Sequence, residues 1–86
     1  MKYYWVTIKS VIPENAWQCT DVDQLGECTK DLIFRSAEKL ETTVPIRKVC
    51  QTLPGFKRVV QVSTADHFVN EDRWNRLGSN KKFTIS

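Results

Sequence analysis

The stretch KYYWVTIKSVI, residues 2–12, constrains this chain more than any other. Tyr4, Val6 and Ile8 fall on one side, and Tyr3, Trp5, Thr7 and Lys9 fall on the other. A period of two carried by β-branched and aromatic residues specifies a β-strand with one apolar face. That face must be buried against something. The side bearing Tyr3 and Trp5 is then available for a second role.

What can cover the strand is limited by length. Eighty-six residues make one domain, expected to span residues 1–86, with a thin core and modest stability. No run approaches the ~18 apolar residues of a membrane helix, so no membrane contact is expected. The opening residues are broken by Thr7, Lys9 and Ser10 and carry no small-residue cleavage site, so they do not read as a signal peptide. With no export signal, Cys19, Cys28 and Cys50 read as reduced thiols in a cytoplasm.

Further along, Pro13-Glu14-Asn15 signals a turn, and Ala16 to Thr20 suits a short second strand carrying Trp17. Asp21-Val22-Asp23-Gln24 has the form of a capping box. Behind it, Leu25, Cys28, Leu32, Ile33, Ser36, Ala37 and Leu40 gather on one side at helical spacing. This predicts a helix running to about Glu41. Ile46 to Thr52 and Phe56 to Ser63 read as two strands around Leu53-Pro54-Gly55. Ser63 or Thr64 is placed to cap a second helix over Ala65 to Leu77, stopped at Gly78. Lys82 to Ile85 alternates like an edge strand. The order β(β)αββαβ predicts an α+β two-layer sandwich with helices on one face of an antiparallel sheet, as in the ferredoxin-like arrangement.

Candidate chemistry is sparse. Cys19, Cys28, Cys50 and His67 lack the paired close spacing that aims two thiolates at one metal, so neither a metal nor another cofactor is expected. Asp66, His67 and Asn70 resemble the opening of an HNH-type nuclease motif, but that motif needs a second histidine and His67 is the only one. No cysteine has a base beside it in sequence, and three scattered glycines cannot form a phosphate loop. The chain is expected not to be an enzyme.

Charge supplies two readings. Residues 1–43 carry five Lys and Arg against seven Asp and Glu, whereas residues 44–86 carry eight against three. On the expected first helix, Phe34 lies opposite the apolar stripe, among Glu27, Asp31, Glu38 and Glu41. An aromatic inside a charged rim is how an interface centre is built. The leading expectation is therefore a non-enzymatic protein-binding module, a small regulator or inhibitor of a nucleic-acid-handling complex, anchored by Phe34. By size and lack of motifs it is comparable with accessory proteins of phages and mobile elements.

The alternative is a nucleic-acid-binding domain. Arg47, Lys48, Lys57, Arg58, Arg73, Arg76, Lys81 and Lys82 would form its cationic rim, with Tyr3 and Trp5 stacking bases on an open sheet. RNA-recognition domains have a similar topology, but KRVVQV (residues 57–62) lacks their aromatic third-strand signature. Homodimerisation is left open by the sequence.

Overall fold

The alternation of the first strand survives into the fold of the computed structural model, which describes residues 1–11 and 21–85. Strand β1 (Lys2–Val11) is the centre of the sheet. Along one edge it pairs antiparallel with β3 (Glu27–Ser36), and along the other with β4 (Phe56–Thr64). The outer edge of β3 is shared by β2 (Asp21–Val22), antiparallel at Thr29 and Cys28, and β5 (Lys82–Ile85), parallel from Ile33 to Ser36. Five strands thus make a mixed sheet four strands wide. Helix α1 (Val44–Cys50) and helix α2 (Glu71–Arg76) complete a small α+β fold.

The expected helix over residues 21–41 is replaced by a hairpin, β2–β3. Asp23 does cap backbone N–H groups, but those of a turn: its Oδ1 accepts from Leu25 N at 2.9 Å and Glu27 N at 3.0 Å. An Asx-turn and a helix N-cap use the same side-chain chemistry, so Asp23 suits either and the chain that follows decides between them. Gly26 closes this turn with φ near 79°, a conformation that glycine adopts without Cβ strain. Once paired with β1, the segment alternates as a strand. Cys28, Leu32, Phe34 and Ser36 are buried with Tyr4, Val6, Ile8 and Ser10 on one face.

The hairpin expected around Leu53-Pro54-Gly55 is half right. Its second arm is β4, but its first arm is α1. Pro45 sits in the first turn, where its missing N–H costs nothing, and Ile46 and Cys50 bury one turn apart. Gly55 has φ near 72°, and a Cβ there would come within 2.5 Å of Val11 Cγ2. Ser63 and Thr64 belong to β4 instead of capping a helix. Helix α2 is shorter than expected and is capped by Asn70, whose side chain accepts from Arg73 N. The expected edge strand at residues 82–85 is present. The expected turn at residues 13–15 and optional strand at residues 16–20 lie outside the described residues.

The helices do not share a face. Ile46 and Cys50 of α1 join Tyr4, Val6, Ile8, Leu32 and Phe34 in the main core. On the opposite face Trp74 of α2 packs with Tyr3, Ala65 and Val69. Neighbouring residues on a strand point to opposite faces, so Tyr3 and Tyr4 nucleate separate clusters. This explains an apolar outlier: Ile33 sits among polar neighbours because it packs under the second cluster.

The expectation of three reduced thiols fails at Cys28, which is disulfide-bonded. The bridge sulfur has no proton, so at 3.3 Å the Ser10 hydroxyl is the donor to Cys28 Sγ. Cys50 is a free thiol in the core, and burial raises its pKa above the ordinary thiol value, partly opposed by Arg47.

Candidate functional site

Phe34, expected as an exposed anchor, is instead fully buried. It faces Tyr4 across the β1–β3 pairing and stacks on Phe83 of β5 with ring centroids 5.1 Å apart. The charged ring expected around it is dispersed by strand parity. Glu27 and Asp31 point to the other face, while Glu38 and Glu41 are exposed in the segment after β3. No interface can be centred on Phe34.

The expected nucleic-acid platform is also divided. Tyr3 is buried beneath Trp74, with its hydroxyl donating to Glu71 Oε2 at 3.2 Å. Desolvation first, then Glu71, pushes the Tyr3 pKa above its usual value. Arg47, Lys48, Lys57 and Arg58 belong to α1 and β4. Arg73, Arg76, Lys81 and Lys82 belong to α2 and the entry to β5, which lies at the opposite edge of the sheet. Several of these cations have local work: Arg58 pairs with Glu27 at 2.9 Å, Arg73 donates to the Phe68 carbonyl, and Lys82 donates to the Trp74 carbonyl. Arg35 lies 4.6 Å over the Trp74 ring and pairs with Glu71, fixing α2 to the sheet.

The face of β1 away from the main core carries Trp5, Thr7 and Lys9, of which Trp5 is exposed and the other two are half-buried. Residues 65–77 cover the Tyr3 end of that face. Trp5 stands at the boundary of the covered part, 40% exposed, and meets Phe68 edge-on at 5.7 Å; His67 meets Phe68 edge-on at 4.6 Å. Beyond Trp5 the strands are tied by polar pairs. Thr7 Oγ1 donates to Asp31 Oδ1 at 3.0 Å, Lys9 lies 3.5 Å from Asp23, and Arg58 bonds Glu27. The backbone N–H of Glu27 is the main cause that lowers the Asp23 pKa, with Leu25 N and Lys9 adding to it against desolvation. An indole is therefore set at the edge of a mixed-charge surface. Trp5 was legible from strand parity; Lys9, Asp23 and Phe68 as its surroundings were not, because they come from three separated segments.

Among the described residues the outer edge of β4 has no partner strand, and it is a weaker docking candidate. Its register against β1 slips twice, leaving Val60 and Lys57 outside the pairing. Bulges and edge lysines are how proteins prevent strands from adding to an open edge. On the main-core face, beyond the end of α1, a cavity of about 310 Å³ is lined by Ile8, Leu32, Leu53 and Phe83, among others, and by Lys30. Among the described residues no three His, Cys, Asp or Glu side chains converge to hold a metal ion, and no helix is long and apolar enough to cross a membrane.

Compared with protein families, curated proteins and solved structures, the chain matches none. Its function has to be read from its own surface.

Proposed function

We propose that this chain is a non-enzymatic protein-binding module whose contact centre is Trp5. The observation that carries the reading is the exposure of this indole, the one exposed Phe, Tyr or Trp among the described residues, beside the polar pairs of Thr7, Lys9 and Arg58. Tryptophan leads the residue types that dominate interface energies, and its best setting is an apolar centre with a charged rim. The role that the sequence suggested for Phe34 passes to Trp5, and Glu27 and Asp31 remain in its rim.

The rim favours protein over nucleic acid. Lys9 and Arg58 stand there against Asp23, Glu27 and Asp31, and both cations are already paired. A phosphate backbone needs unpaired cations on the surface that carries the stacking aromatic. A partner with a socket for the indole and a mildly basic surround fits better, as on a nucleic-acid-handling protein that a small regulator or inhibitor would engage. The Cys28 disulfide favours an oxidising compartment over the cytoplasm that the cysteine count suggested.

The test is affinity capture from cells of the source, with and without nuclease, using the wild-type chain and Trp5→Ala. A protein retained after nuclease treatment and lost with Trp5→Ala is the expected result. Loss of about 2 kcal/mol, roughly thirtyfold in Kd, is the scale of an interface centre. Capture that ignores Trp5→Ala, or that vanishes entirely with nuclease, overturns the reading.

A further inference from the structure

The second candidate lies on the opposite face from Trp5 and does not depend on the protein-binding reading. Helix α1 is only seven residues long, so it covers part of the main-core face and stops. Beyond it the floor of the cavity is Ile8 of β1 and Leu32 of β3. Leu53 and Pro54 form one wall, and Ser79 and Asn80 before β5 form the other. Into this apolar surround β3 sends Lys30, which shares its face with Ile8, its cross-strand partner. Among the described residues no carboxylate lies in ion-pair range of Lys30. Lys9, Arg35 and Arg58 of the same sheet each have a carboxylate, and Lys82 donates to the Trp74 carbonyl.

A lysine stem commonly lies along apolar surface with its ammonium in water. Here the same stem also walls a concave space at the lower end of the usual ligand-pocket range of ~300–1,000 Å³. An apolar floor and one apolar wall, with one convergent cation and Ser10, Ser79 and Asn80 at the margins, make a site suited to an apolar body ending in a single negative charge. We infer that this cavity binds a small monocarboxylate with a short apolar body, its carboxylate on Lys30 and its body between Leu53 and Phe83. At about 30 Å³ per non-hydrogen atom the space holds roughly ten such atoms.

Octanoate, octanol and octylamine are size-matched probes that differ in head-group charge. Titrated into the isotopically labelled chain and followed by amide NMR shifts, octanoate should move the signals of Ile8, Lys30, Leu32 and Phe83. It should bind about tenfold tighter than octanol, the scale of one charge-assisted hydrogen bond, and octylamine weakest of the three. Lys30→Met keeps the apolar stem and should abolish the preference for octanoate over octanol while leaving the spectrum dispersed. Octanoate producing no shifts at those residues, or binding no better than octanol, overturns the proposal. Retention of the preference in Lys30→Met overturns it equally. The comparison among probes on the wild-type chain stands even where the variant does not fold.

Discussion

Phe34 and Phe83 stack at 5.1 Å with their ring planes 24° apart, joining the C-terminal end of β3 to β5 in the sheet's parallel pairing. β5 has four residues and reaches the sheet along one side only, so this ring pair is a principal apolar tie between the last strand and the core. Phe34→Ala should therefore destabilise the fold by about 3–5 kcal/mol, at least as much as Leu32→Ala at about 2–5 kcal/mol. Urea denaturation of both variants checks this. A Phe34→Ala loss within about 0.5 kcal/mol, the range of an exposed site, would contradict the burial.

Trp5 should behave in the opposite way. Its edge-on contact with Phe68 is worth about 0.5–1.5 kcal/mol beyond burial, and much of the ring is already in water. Trp5→Ala should lower stability by roughly 1–2 kcal/mol, well below Phe34→Ala. The same denaturation series measures it.

The β2–β3 turn should be acid-sensitive through Asp23. Its folded pKa lies below the unfolded value, so its contribution is full above the ordinary carboxylate range and is lost as pH falls through the folded value. Asp23→Ala should lower stability at neutral pH and flatten the decline of stability between about pH 4 and 2. Stability curves of the two proteins that stay parallel through that range would refute the role of Asp23.

The cysteines make a chemical prediction. Intact mass after alkylation in denaturant should show one free thiol, Cys50, and one disulfide. In the native state at neutral pH, Cys50 should resist alkylation, since burial both blocks it and holds it protonated. Its contribution to stability is full below the unfolded thiol pKa of about 8.5 and is lost as pH rises toward the higher folded value. Reducing the disulfide should cost about 2–4 kcal/mol. Three alkylated cysteines without reduction would refute the bridge.

Local sequence was sufficient where pattern and environment coincide. Residues 2–11 and 82–85 alternate and form strands, Phe56 to Thr64 forms the expected second arm, and Gly55 lies in the expected turn, where its φ is positive. The α+β class follows from that mixture. Trp5 on the face away from Val6 and Ile8 was legible for the same reason, since strand parity alone assigns it.

Tertiary structure decided the rest, most plainly at residues 27–36. Lys30 interrupts one row of that strand and Ile33 interrupts the other, so its alternation is blurred and a helical period describes it equally well. β1 resolves the ambiguity, because a central strand needs hydrogen-bonded neighbours on both edges and β3 supplies one. Ile33 then finds the second cluster beneath Trp74, Lys30 borders the cavity, and Phe34 moves from a surface to the core. Residues 44–50 show the converse: β-branched content reads as strand, yet Ile46 and Cys50 reach the core together only at helical spacing. In both segments the local preference was nearly even, and burial against one particular neighbour settled it.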